Sequence, residues 1–507
     1  MGGADALSSL NQVEMKTTGN RRIDHQGWAP GDLMAVSSYA TGYKLDVKSE
    51  RLRMDTEHTP MFDALELSPA STYSVILDGE VGARTSSALL SSASELSAKV
   101  VASIWAELWL LNPHLYLIAA LEDLNRVSEG VMTQLDGRLH QVLNFHGEIA
   151  EVYLFVDVKT GFITKLETIE NNLLVRDVAV EVLYKGWESY DGIAFPRVVE
   201  VYVGGAFVLD EVRLDVAPDA IFGPDTFVLP PGVGASPLDV DGYLWGEQSR
   251  QAIGDFFHMG FDYVDLPAAE PELVELAPGV NLLPGADNSL AVIIDESIVL
   301  LEGGESPAHG SARLSALAEA YAGAEVTHLI QSHFHQDNAA GVRSIIAETG
   351  AELIVGYGVE AFWEATLAAP STVRPDLMAT VDIQPVITEV EEGGKYVLDT
   401  AVATITAYHV PDNPHAGDML ITTIEASGEL FVYQSDLYNA GGGLNLVLGG
   451  PATLYKHLRD LGILDSACRS DMPLTIVPCH GSPISLLEAQ LELLALGIDV
   501  GCPQLPL

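Results

Sequence analysis

The residues best suited to chemistry lie in one short stretch, Ser332-His333-Phe334-His335-Gln336-Asp337-Asn338. Two imidazoles and a carboxylate within five residues are nitrogen and oxygen donors of the kind Zn²⁺ takes at about 2.0–2.2 Å. An HxHxD triplet also arises by chance in a chain of 507 residues, so by itself it leaves an ordinary polar loop as the alternative. Its setting favours chemistry. The apolar run Val326 to Gln331 predicts a strand, and Ala339 to Glu348 predicts a helix. The triplet therefore falls in the loop at a strand's C-terminal end, where backbone curvature turns alternate side chains towards one point.

Three later positions have the right residue types. His415 lies in Asp412-Asn413-Pro414-His415-Ala416-Gly417-Asp418; Asp436 ends the apolar run Phe431 to Gln434; and His480 stands in Val477-Pro478-Cys479-His480-Gly481 ahead of a terminal helix. Seen alone, Asp436 reads as a solvated turn residue. Tyr438 and Asn439 follow it as candidates to line a pocket, and Glu302, at a strand end, is a candidate to support the site. His328 and His409 read as packed strand residues, and Cys479 as a packing residue whose side chain alternates away from His480.

The elements that must position these groups divide the chain. From Val280 to Leu301 two strands surround a turn at Asp295-Glu296; Ser311 to Ala322 predicts a helix and Glu352 to Val355 another strand. Upstream, residues 150–228 read as an antiparallel meander: runs such as Val152 to Val158, Val178 to Tyr184 and Val198 to Val203 are separated by Lys159-Thr160-Gly161, Asp191-Gly192 and Gly204-Gly205. Such a sheet must bury one face, and Ser91 to Leu121 is the expected helical cover. The resulting division is a β-rich region 1–235, a linker 236–274 and a site-bearing region 275–507.

Composition excludes some partners. The chain carries 71 Asp+Glu against 25 Lys+Arg, a formal net charge of −46. It lacks the basic residues with which proteins neutralise nucleic-acid phosphates, and it gains nothing from anionic lipid headgroups. The most apolar stretch, Val100 to Leu121, is interrupted by Glu107 and Asn112-Pro113, so no integral membrane segment is expected. The N-terminal MGGADALSSL has neither a charged n-region nor an apolar h-region, so no signal peptide is read in this sequence. Three cysteines form no framework, although a bridge between Cys468 and Cys502 is compatible with an oxidising compartment.

Taken in order, Ser332 to Asn338, His415, Asp436 and His480 resemble the HxHxDH signature and later markers of the metallo-β-lactamase superfamily, over about residues 275 to 500. The resemblance implies an α+β fold, an αββα sandwich of two sheets between helices with a metal site at one edge. It implies that His333, His335 and His415 hold a first metal, and that Asp337, Asp436 and His480 hold a second, with Asp436 bridging. One position departs: Asn338 stands where the signature ends in a histidine, and an amide oxygen is a poorer zinc ligand than imidazole. The cofactor expected is therefore one or two zinc ions, with Mn or Fe as alternatives. The segment Phe155 to Gly161 with Tyr184 and Asp191 to Pro196 is similar to lipoprotein-carrier-like half-barrels of the bacterial envelope, which implies an antiparallel β half-barrel ahead of the sandwich and a periplasmic or secreted setting.

The expected activity is metal-dependent hydrolysis of a small-molecule substrate. Metal-bound hydroxide would attack an ester, lactone or amide carbonyl, with Asp337 orienting or deprotonating the water and the half-barrel shaping or covering the cleft. Alternatives are an alkylsulfatase-like or phosphoester hydrolase, and a non-catalytic binding protein in which Asn338 marks a decayed metal site. Nothing in the sequence indicates an oligomeric state.

Overall fold

The computed structural model describes residues 1–60, 71–86, 94–96, 98–147, 151–231, 233, 270–285, 287–439, 449–464 and 473–495. The expected bridge between Cys468 and Cys502, and most of the expected linker 236–274, lie outside these residues; Cys479 is free and buried.

The N-terminal region is one thirteen-stranded sheet made of two meanders placed back to back. One runs from Gln12–Ile23 outward to an edge at Ser94–Leu96, and the other from an edge at Val127–Leu135 inward to Ala206–Pro218. The two join where Gln12–Ile23 pairs antiparallel with Ala206–Pro218. The sheet thus begins much earlier than the meander that turn chemistry marked after residue 150.

Two helices, Ala98–Leu111 and Pro113–Glu122, carry the chain from one edge to the other. Asn112-Pro113 breaks them as the missing proline N–H requires, and they meet at 98°. Val101, Ile104 and Leu108 pack on Leu52, Val75 and Leu77 of one meander, while Leu110, Leu111 and Tyr116 pack on Val180, Val182 and Val199 of the other. The expected cover is therefore present but shorter than Ser91 to Leu121, because Ser94–Leu96 forms an edge strand. Among the described residues no single helix is long and apolar enough to cross a membrane.

The C-terminal region is a four-layer sandwich. Its seven-stranded sheet runs from Val274–Ala277 through Ser297–Leu301 and Glu325–Ile330 to Ile387–Glu389, and its six-stranded sheet from Lys395–Asp399 through Glu429–Gln434 to Ile484–Ser485. Strand alternation sets the layers. Val299 and Ile330 face Ile405, Phe431 and Val477 of the other sheet, whereas their neighbours Leu300 and Leu329 face Leu317, Ile345 and Ile346 of the outer helices. On the opposite side Val432 and Ile476 pack under Leu454, Leu458 and Leu493.

Candidate metal centre

The strands of both sheets end at one edge of the sandwich. Glu325–Ile330 leads into His333 and His335, Glu429–Gln434 into Asp436, and Leu474–Pro478 into His480. The loop between Ala403–His409 and Leu420–Ala426 brings His415. A backbone bond from Leu420 N to Ser332 O, 2.7 Å, ties the two sheets together at this point. The Asp337 turn is seated by a close crossing of glycines: a Cβ at Gly341 would lie 2.2 Å from Gly303 O, so only glycine permits the approach. Asp436 itself has φ 60°, a left-handed conformation that non-glycine residues keep mainly where surrounding structure enforces it.

All six sequence-derived ligand candidates converge, as two groups. In each group, the ligand atoms of His333, His335 and His415, or of Asp337, Asp436 and His480, lie within 4.8 Å of one another. Asp436 stands between the groups: its Oδ2 is 3.3 Å from His333 Nε2 and 3.4 Å from His415 Nε2, and its Oδ1 is 2.9 Å from His480 Nε2.

The protonation pattern matches a cation site. His335 Nε2 is 2.8 Å from Gly27 O, and a carbonyl only accepts, so that nitrogen carries the proton and Nδ1 keeps the lone pair. That Nδ1 is buried and has no hydrogen-bond partner. His333 Nε2 and His415 Nε2 face each other at 3.2 Å. Burial lowers the pKa of His333 and of His335, the latter far below the ordinary value with both neighbouring imidazoles adding to the effect. A divalent metal takes neutral imidazoles, and the lowered pKa of His333 and His335 with the convergence of the three rings fits one. Burial disfavours charge on His480, yet Asp436 and Asp287 outweigh it and hold its pKa well above the usual value.

The remaining sequence candidates fall as follows. Asn338 is fully buried with its amide engaged: Nδ2 donates to Asp436 Oδ2 at 3.0 Å, and Oδ1 accepts from Ser435 Oγ at 3.2 Å and Cys479 Sγ at 2.8 Å. It supports the Asp436 carboxylate. Tyr438 packs in the core and its hydroxyl donates to Glu492, so it is not a pocket wall; Asn439 beside it is buried. Glu302 is buried beneath the site, accepting from Gln331 Nε2 at 2.5 Å and from Ser332 N at 3.3 Å. Burial, reinforced by Asp436, pushes its pKa to about 8 against the donors at Ser332 and the charge of Arg313. His409 bonds Gly393 N and Gly417 O, and His328 bonds Thr327, so neither belongs to the cluster.

Two contributions had no sequence signal. Asp287, between the strands Val280–Leu283 and Ser289–Ile294, holds His480 Nδ1 at 2.8 Å, the carboxylate–histidine pairing that orients metal ligands. The second comes from the N-terminal sheet: besides the Gly27 carbonyl, Gln26 Nε2 donates to Asp337 Oδ1 at 2.9 Å.

Residues 282–432 match the model of the metallo-beta-lactamase superfamily. That span contains His333, His335, Asp337 and His415 and stops just short of Asp436. No curated protein matches the chain. Among solved structures, a HARLDQ-motif mutant of a metallo-beta-lactamase from Cronobacter sakazakii is 17% identical, with 41% of this chain and 80% of that one covered and a TM-score of 0.29. A B3 metallo-beta-lactamase with an active-site glutamic acid is 16% identical (46% and 97% covered, TM-score 0.31). MEM-A1, a subclass B3 enzyme from a soil metagenome library, is 17% identical (46% and 90% covered, TM-score 0.30).

Proposed function

Since its C-terminal region belongs to the metallo-beta-lactamase superfamily, we propose that the protein is a metal-dependent hydrolase acting on a neutral ester, lactone or amide. The observation that carries this reading is the buried, partnerless Nδ1 of His335 set among His333 and His415. Zinc is the metal that three imidazoles suit best, with Mn or Fe as alternatives; when bound it would acidify a water and polarise the carbonyl. The chain's own residues do the rest. His333, His335 and His415 would supply the nitrogen donors. Burial alone would raise the pKa of Asp436, yet His480, His333 and His415 hold its carboxyl ionised, far below the ordinary range. Asp337, partly buried in the second ligand group, would orient a water and take up its proton. The net charge of −46 disfavours anionic sulfate and phosphate esters as substrates. The similarity of the segment Phe155 to Gly161 with Tyr184 and Asp191 to Pro196 to envelope half-barrels favours a periplasmic or secreted setting.

A second reading has one observation behind it: the Asn338 amide is committed to Asp436, Ser435 and Cys479, as in a binding protein that has lost a metal ligand. Metal analysis of the purified protein, with turnover on an ester and lactone panel after adding Zn²⁺, Mn²⁺ or Fe²⁺, separates the two. About one equivalent or more of metal with turnover is expected; less than about half an equivalent with no turnover after reconstitution would overturn the hydrolase.

A further inference from the structure

The residues 24–32 connect two central strands of the N-terminal sheet, Gln12–Ile23 and Met34–Asp46, and they reach the metal centre of the other region. Three contacts seat this loop. Gly27 O accepts from His335 Nε2 at 2.8 Å, Gln26 Nε2 donates to Asp337 Oδ1 at 2.9 Å, and Trp28 O accepts from Gly417 N at 2.7 Å. The His25 ring lies 5.6 Å from that of Phe362. The loop is also braced internally: Asp32 Oδ2 accepts from Ala29 N, and Ala29 O accepts from Asp32 N, each at 2.9 Å. A Cβ at Gly27 would meet Asp32 Cβ at 2.6 Å and Asp32 O at 2.9 Å, so any side chain there must displace the turn that carries the carbonyl.

The chemistry of these contacts is specific. A neutral imidazole offers one lone pair, and an acceptor on one nitrogen decides that the other presents it. The carbonyl of Gly27 thereby determines that His335 offers Nδ1, and it fixes the ring plane. The Gln26 amide restrains rotation of the Asp337 carboxylate. We propose that loop 24–32 of the N-terminal sheet is a working part of the metal centre, with Gly27 and Gln26 as positioning residues for His335 and Asp337. This inference rests on the metal-dependent reading above and assigns the N-terminal sheet a role in it: the sheet sets the affinity and geometry of a site whose ligands all lie in the other region.

The test uses the full chain loaded with Co²⁺. Affinity is measured by competition with a chromophoric chelator, and the exchangeable, paramagnetically shifted N–H signals of the bound histidines are recorded by NMR. Gln26→Leu and Gly27→Ala are each expected to weaken Co²⁺ binding by about 10–100-fold, the usual effect of removing a group that orients a metal ligand. Gly27→Ala should also broaden one N–H signal through faster exchange with water, as the His335 proton loses its acceptor. Asp177→Ala is the control: its carboxylate accepts from Thr372 N at 2.7 Å in a separate contact between the two regions, and it should leave affinity and signals unchanged. If Gln26→Leu keeps wild-type affinity, or Asp177→Ala weakens binding as much as Gln26→Leu does, the inference is overturned. The Gln26→Leu result decides by itself should Gly27→Ala not fold. A wild-type chain that binds no metal overturns the hydrolase reading, and this inference with it.

Discussion

Both regions bury polar groups, but they arrange them differently. In the N-terminal sheet the buried guanidinium of Arg213 donates to Leu111 O at 2.6 Å and to Asn112 Oδ1 at 2.9 Å, with Glu211 3.8 Å away. Tyr43 donates to the same Glu211, and Arg21 to Tyr73. These groups meet partners of opposite character, although Arg213 Nε and Nη1 make no hydrogen bond. At the edge of the C-terminal sandwich three imidazoles converge: His333 Nε2 and His415 Nε2 are 3.2 Å apart and 3.3 and 3.4 Å from Asp436 Oδ2, and His335 Nδ1 has no partner. Burying polar groups without partners costs about 1–3 kcal/mol each. The N-terminal groups are dispersed through the sheet, whereas the C-terminal imidazoles and carboxylates converge on one edge, the arrangement that suits a cation. Buried polarity therefore marks function where several ligand atoms face one point, and not wherever a single atom lacks a partner.

The largest effect expected from breaking this contrast lies in the N-terminal sheet. Arg213→Ala strips Glu211 of its buried guanidinium and should destabilise the protein by about 3–5 kcal/mol, read from urea melts, with metal content unchanged. A loss of metal from protein that is still folded would show that Arg213, and not loop 24–32 alone, is coupled to the metal centre. The next effect is at the metal edge. Asp287→Ala frees the His480 ring and should lower metal affinity by about 10–100-fold while changing the stability of the metal-free protein less than Arg213→Ala does; chelator competition and melts on one preparation compare the two. The smallest concerns Glu302, whose carboxyl titrates at about 8 instead of the ordinary 4.5. The fold then holds a proton that the unfolded chain has released, so this group's contribution is fully present below 4.5 and is lost as pH rises through 8. The ¹³C shift of the Glu302 carboxyl in metal-free protein should show that midpoint; titration at 4.5 would mean the buried edge tolerates charge as the N-terminal interior does.

The ligand candidates were legible because their types and their order along the chain resemble a known signature; alone, Asp436 reads as a solvated turn residue. Strand periodicity and residue type place His333, His335, Asp436 and His480 at strand ends, and no long-range information is needed for that. Asn338 was recognised as a departure, but its actual work, three hydrogen bonds around Asp436, depends on side chains about 100 and 140 residues away. Tyr438 misled because the two residues after a site aspartate read alike whether they turn to the cleft or to the core. The strands before residue 90 were passed over since a sheet of two meanders has no signature beyond alternation, which their Thr- and Ser-rich sequences blur.

The sequence by itself determined which atoms are able to bind a metal, the strand–loop–helix context that presents them, and an acidic surface unsuited to polyanions. Only the tertiary structure decided which nitrogen of His335 is offered, that Asp287 orients His480, and that the N-terminal sheet reaches into the centre. The physical reason is that these decisions rest on hydrogen bonds between segments far apart in the chain. One of them is made by a glycine carbonyl, a group that every residue carries and that no pattern of side chains can single out.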